Sequence, residues 1–183
     1  NREGADRARH LREHAMSVSA AERHHSTLPA AETYPEVGFN FRMTDLQAAM
    51  GRVQLGRLPD IVARRREIAA RYSAAISEVD GLRAVADPQH GTSNFQSFWV
   101  EVSAPYPTDR DGLLGALAAA DISARRGIMA AHREPPYSDL PPEDGLPATD
   151  RLHEGTLILP VFHQMTDDEQ DRVIDVLRAP APA

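Results

Sequence analysis

The sequence contains no cysteine and no lysine; every one of its 20 basic residues is arginine. Without cysteine there is no disulfide framework, no thiolate metal site and no cysteine nucleophile. Without lysine there is no Schiff-base amine, no P-loop cation and no desolvated amine base. An excess of positive charge is missing too. The 27 acidic residues leave a net charge of −7, which argues against nucleic acid or an anionic membrane as the main partner, since both reward a basic face. No run approaches the ~20 apolar residues of a membrane helix, and the charged N-terminus carries no secretory signal. An initiating methionine is also absent. The chain opens Asn1-Arg2-Glu3 and its first methionine is Met16, which reads as a cut or processed piece, with the cytoplasm as the expected compartment.

What is present is ordinary for a globular protein: 42% hydrophobic and 26% charged residues in 183. A chain of this length can hide roughly 70% of its unfolded surface, enough for one core or two small ones. There is no internal repeat. The one low-complexity stretch is the tail Ala179-Pro180-Ala181-Pro182-Ala183.

Hydrophobic spacing predicts a charged helix over residues 2–16, with Ala5, Ala8, Leu11 and Ala15 on one stripe. The pattern then stops over 17–43, a loop of a length that usually carries function. Thr44-Asp45-Leu46-Gln47 has the spacing of a capping box. It starts a helix to about Leu58, whose Gly51 and Gly56 suggest close packing in return for their cost of roughly 1 kcal/mol each. Pro59 is expected to open a new helix, with Ile61, Ile68, Tyr72, Ile76 and Val79 on its inner face and Gly81 at its end. Strands are expected over 82–86, 95–102 and 122–130, a short strand or connector over 156–161, and helices over 108–120 and 166–178, around a proline-rich loop at 135–147. The order gives an α+β fold with a small, mostly antiparallel sheet. The expected division is 1–58 and 59–183.

Several chemical-looking clusters have plain readings. His24-His25 after Glu22 lacks a convergent third ligand, so a solvated loop fits better than a metal site. Arg64-Arg65-Arg66 reads as the solvated flank of an amphipathic helix, and Asp167-Asp168-Glu169-Asp171 as first-turn acids favoured by the helix dipole. Two segments resist such readings. In Gly38-Phe39-Asn40-Phe41-Arg42-Met43-Thr44-Asp45, an amide and a guanidinium stand directly before a capped helix, where their donors can hold a phosphate or carboxylate. In Ser123-Ala124-Arg125-Arg126-Gly127-Ile128-Met129-Ala130-Ala131-His132, followed by Pro135-Pro136-Tyr137, a polar strand runs into a Pro-Tyr loop, as in a pocket wall.

Those two segments carry a resemblance. The stretch from Gly38 through Leu46-Gln47-Ala48-Ala49 resembles the G-[FY]-N-[FY]-R-M-T-D-[LI]-Q-A-A signature of the DegT/StrS-type sugar aminotransferases. Leu11-Arg12-Glu13-His14-Ala15-Met16 resembles the family's L-R-x-H-G-M, and Gln54-Leu55 through Arg64-Arg65-Arg66 its Q-L…R-R-R helix. Arg126 to His132 and Tyr137 resemble its late R-x-x-x-x-x-H-x-x-P-x-Y pattern, and Leu159-Pro160 with Met165-Thr166 its ending before the last helix. Ala15 departs from the usual glycine, and Phe162-His163 from the usual His-Pro, so no role is carried onto His163.

The resemblance implies the C-terminal part of an aspartate aminotransferase (type I) fold. It also implies pyridoxal 5′-phosphate as cofactor, and conversion of a nucleotide-linked ketosugar to an aminosugar with an amino-acid donor. The family's catalytic lysine lies upstream of residue 1, so no catalytic residue is expected in this chain. Residues 1–58 become the tail of the large domain, with a loop (17–37) crossing to a homodimer partner and an interface helix; 59–183 become the small domain. Asn40 is expected to reach the cofactor phosphate of the neighbouring subunit with support from Arg42, while His132, Arg126 and Tyr137 face substrate. No metal, nucleic acid or membrane enters. The rival reading is a lysine-free, non-catalytic partner or regulatory subunit of such an enzyme.

Overall fold

A computed structural model of the chain describes residues 1–18, 33–137 and 145–180. Glu22, His24, His25 and most of the 17–37 loop lie outside the described residues. The chain divides into two compact units, Asn1–Gly56 and Arg57–Ala183.

In the first unit, helix α1 (Arg2–Leu11) begins with the Asn1 side chain accepting from the Glu3 N–H at 3.0 Å. It ends five residues earlier than the periodicity predicts. The chain turns through His14 (φ 61°) and Ala15 (φ 52°) in the left-handed region. The Leu11 and Arg12 carbonyls are then taken by the N–H groups of Phe39 (2.7 Å) and Phe41 (2.9 Å). Glu13 and Asn40 face each other in an antiparallel bridge. Arg7 and His10 on α1 both meet Glu36, the Arg7 Nη2–Oε2 distance being 2.5 Å. Arg7's hydrogen bond holds the Glu36 carboxyl below its ordinary range.

Helix α2 (Asp45–Ile76) runs without a break through Pro59, where the sequence predicts two helices. A proline inside a helix forgoes the bond to the carbonyl four residues back, here that of Leu55, an exposed residue that water can serve. Gly51 and Gly56 meet no heavy atom within 4 Å of an added Cβ, so the close packing expected of them is not made among the described residues.

The second unit is built on a four-stranded antiparallel sheet in the order β1-β2-β4-β3: Leu82–Ala84, Phe98–Val102, Thr156–Leu159 and Arg125–Arg126. Ile68, Tyr72 and Ile76 of α2 are buried against Phe98, Val100, Leu157 and Leu159 of the sheet, with Leu113 and Leu117 of α3 (Arg110–Ala119). Helix α5 (Asp167–Arg178) adds Val173, Ile174 and Leu177. Its start is a capping box, Thr166 with Glu169. Three polar side chains are satisfied inside this core. Tyr72 O–H donates to the Pro160 carbonyl (3.1 Å), Tyr106 O–H to that of Leu177 (2.9 Å), and Gln170 Nε2 to that of Ile68 (2.8 Å).

Two departures from the sequence reading matter for the site. The expected strand over 122–130 shrinks to Arg125–Arg126. Its register sets Arg126 opposite Leu157, so residue 128 would have to pair with Gly155, which is still helical. That helix is the second departure. Helix α4 (Pro147–Gly155) begins where the expected loop at 135–147 ends, in a stretch to which the sequence reading assigned no element; it starts on a proline, has no side-chain cap and buries no residue.

The arginine run is not a solvated flank. Arg64 donates to the Met165 carbonyl (2.8 Å) and Asp167 (3.0 Å). Arg66 bonds Asp87 (2.8 Å) and lies over the Phe95 ring at 5.6 Å. Arg71 reaches Asp171 at 2.6 Å. The acids at the start of α5 therefore serve as anchors for α2 as well as for the helix dipole.

Candidate functional site

The first candidate site is the approach to α2. Glycine at 38 is required by close approach: an added Cβ would overlap the backbone of His14 and Ala15. The next residues alternate in and out of the short pairing with residues 11–14. The exposed Phe39 and Phe41 stack on each other, centroids 5.2 Å apart and planes 2° from parallel. Asn40 accepts from Arg42 Nε through Oδ1 at 3.4 Å, which turns its amide N–H₂ into the donor left for a ligand. Thr44 N–H donates to Gln47 Oε1 (2.9 Å) and Gln47 N–H to Thr44 Oγ1 (3.3 Å), the reciprocal box predicted from spacing. Asn40 and Arg42 are thus brought together, both exposed, at the start of a helix. An amide and a guanidinium there form a donor set for an oxyanion.

The second candidate lies in the other unit. Past β3 the chain leaves the sheet at Gly127, whose N–H bonds the Thr156 carbonyl at 3.0 Å. Ile128 and Met129 are 66% exposed each. A short 3₁₀ turn, Ala131–Arg133, then holds His132, and another, Pro135–Tyr137, holds Tyr137. His132 Nε2 lies 2.8 Å from Asp150 Oδ1 on α4. Arg133 Nε donates to the same oxygen at 2.6 Å, and its Nη1 to Glu154 at 2.7 Å. Burial pushes the Asp150 carboxyl up, but the bonds from His132 and Arg133 outweigh it and hold the group below its usual range. Arg126 turns instead to Asp111 (3.1 Å), and Tyr137 stands 51% exposed. Of the three residues expected to face substrate, the structure builds a bonded cluster around His132 only.

Asp150, Arg133 and Glu154 were not singled out from sequence. Their signal was the acid spacing Asp150 and Glu154, four apart on one helix face, legible only to a reader who expects α4. Near them an open cleft of about 740 Å³ is lined by Arg83, Glu101, Arg110, Asp150, Arg151 and Glu154 among others. Glu101, 8% exposed, is paired there with both Arg83 and Arg151. His163 Nε2 is buried with no hydrogen-bond partner among the described residues. Among the described residues no cluster of three or more His, Asp and Glu could hold a metal, and no helix is long and apolar enough to cross a membrane.

Residues 1–178 match the DegT/DnrJ/EryC1/StrS aminotransferase family. The chain belongs to that family. Among solved structures it is similar to the aminotransferase TlmJ from Streptoalloteichus hindustanus, with 31% identity and a TM-score of 0.76 over 98% of this chain and 45% of that one. It is similar to DesV from S. venezuelae, with 26% identity and a TM-score of 0.77 over 97% and 44%. The PLP form of a sugar aminotransferase from Streptococcus pneumoniae, Spr1654, shares the fold at 21% identity and a TM-score of 0.76, over 97% and 43%. The chain spans less than half the length of these structures. Its α+β architecture is therefore the C-terminal part of the aspartate aminotransferase (type I) fold, with a small antiparallel sheet and five α-helices among the described residues.

Proposed function

We propose that this chain is the C-terminal half of a pyridoxal 5′-phosphate-dependent aminotransferase that converts a nucleotide-linked ketosugar to an aminosugar with an amino-acid donor. The observation that carries the proposal is the exposed Asn40–Arg42 pair at the capped start of α2, inside a family match over nearly the whole chain. These residues fit the phosphate end of the cofactor: Asn40 offers amide N–H, Arg42 a guanidinium, and the capping box leaves neither needed by the helix. They do not fit its aldehyde end, because no amine side chain exists in the sequence. The cofactor, when bound, would supply the aldehyde that takes up the amino group and the ring that acts as electron sink. This chain's part is to bind and orient. Asn40 and Arg42 hold phosphate across a homodimer, Phe39 and Phe41 shape the approach, and His132, Arg126 and Tyr137 face the sugar.

Residues 1–58 then serve as the tail of the large domain with the crossing loop and interface helix, and 59–183 as the small domain. The exposed stripe Met43, Leu46, Met50 and Val53 on α2 and its approach, each 64–79% exposed, supports an interface there, since such a patch rarely faces water in a monomer. We place the intact enzyme in the cytoplasm. The missing lysine also favours a second reading, a non-catalytic partner subunit. Assays with cofactor, donor and ketosugar separate the two. The chain alone should give no turnover, and the enzyme extended upstream through a lysine-bearing half should give it in one polypeptide. Turnover by the chain alone overturns the proposal; a complete reading frame starting near residue 1 favours the partner subunit.

A further inference from the structure

Resting on the reading of His132 as substrate-facing, we propose that Asp150 is the positioning residue for that histidine. It fixes the Nε2 edge of the ring, so that Nδ1 meets the sugar as an acceptor for a hydroxyl.

The chemistry of the pair assigns the proton. An ionised carboxylate only accepts, so the ring nitrogen 2.8 Å from Asp150 Oδ1 is the one that carries N–H. In the neutral imidazole the other nitrogen is then bare. No described residue hydrogen-bonds Nδ1. The side chains of His132 and Asp150 are 16% and 28% exposed, which leaves the ring little freedom to flip while that bond holds.

A purely mechanical role is already filled. Arg133 ties the same turn to the same helix twice, through Asp150 and Glu154. A third tie from His132 to the oxygen Arg133 already uses adds little to that attachment. What it alone does is select which ring edge faces outward. The location supports the same view. Helix α4 buries no residue but is also tied down by Arg151 to Glu101 and by Arg110 to the His153 carbonyl (3.1 Å), so neither His132 nor Arg133 alone keeps Asp150 in place.

The test has two arms. In proton NMR of the protein, the His132 Nε2–H should appear far downfield and exchange slowly. Asp150→Ala should abolish that signal, while Arg133→Ala, which removes the mechanical tie, should leave it. In the intact aminotransferase, His132→Ala and Asp150→Ala should each raise KM for the ketosugar about tenfold, the effect of one lost hydrogen bond to ligand, with a smaller change in kcat. The double variant should be no worse than His132→Ala alone, because a residue acting through another has nothing left to act on. If Asp150→Ala keeps the Nε2–H signal, or if the two effects add, the positioning role is wrong and the reading of His132 stands. If His132→Ala leaves KM unchanged, that reading falls, and the role of Asp150 toward substrate with it.

Discussion

Asn40 lies opposite Glu13 in an antiparallel bridge, so the residue proposed to reach phosphate is held by the turn that ends α1. The same pairing runs through Phe39 and Phe41, whose N–H groups bond the Leu11 and Arg12 carbonyls. Gly38 makes it possible by lying against the backbone of His14 and Ala15. Gly38→Ala should therefore push the two segments apart, costing about 1–3 kcal/mol as an overpacked site does. Urea unfolding of the purified variant would show this as a lower midpoint. An unchanged midpoint would mean that the approach to α2 is not pinned where the structure puts it.

Ala15 stands where the family commonly has glycine, and it keeps the left-handed backbone that glycine favours, at φ 52° and fully buried. Ala15→Gly would relieve roughly 1–2 kcal/mol of backbone strain. Against that stand about 0.8 kcal/mol for the lost buried methyl and about 0.5–1 kcal/mol for the greater freedom of glycine in the unfolded chain. The opposing terms nearly cancel. Calorimetry should find the melting temperature within a few degrees of the parent, and a large drop would show that the methyl fills a space the backbone cannot close.

Arg64 and Asp167 form an ion pair of unequal partners. The aspartate side chain is 71% exposed and the arginine 32%, and only the arginine also bonds the Met165 carbonyl. Arg64→Ala should cost about 1–1.5 kcal/mol through that lost bond, whereas Asp167→Ala should cost about 0.5 kcal/mol or less, as exposed pairs do. Chemical denaturation of the two variants tests the order. Equal losses would place the energy in the ion pair itself.

Tyr106 is buried, 7% exposed, and its O–H donates to the Leu177 carbonyl. Burial pushes its pKa up to about 12 from an ordinary 10.0. The folded state therefore keeps a proton that the unfolded chain gives up first. The stabilisation is complete below pH 10 and is lost as pH rises toward 12. Tyr106→Phe should cost about 1 kcal/mol at neutral pH for the bond and flatten the alkaline decline. Thermal melts across pH 8 to 12 measure both. A variant with the parent's alkaline slope would clear Tyr106 of that role.

How much of this was legible in the sequence depended on how local each signal is. The capping boxes at Thr44–Gln47 and Thr166–Glu169 depend on three-residue spacing, and both formed. Pro59 misled because its usual place is a first turn, whereas an exposed helix tolerates one missing bond. The strand after Ile122 was cut short by the register of a partner 31 to 33 residues away, which no local pattern carries. Helix α4 escaped notice because it lacks a capping side chain and an apolar stripe deep enough to be buried. With it went Asp150, so His132 could be singled out but its partner could not. The arginine run was read as solvated because the acids it bonds, Asp87 for Arg66 and Asp167 for Arg64, lie 21 and 103 residues further along.

The central claim is that this lysine-free chain supplies the phosphate-holding wall of an aminotransferase site. Titration of pyridoxal 5′-phosphate into the intact enzyme and its Asn40→Ala variant, followed by absorbance, tests it most directly. Loss of a hydrogen bond to a charged phosphate should raise the Kd about tenfold to a hundredfold, with the subunit assembly unchanged by sedimentation. A Kd equal to the parent's in a correctly assembled variant would contradict the account.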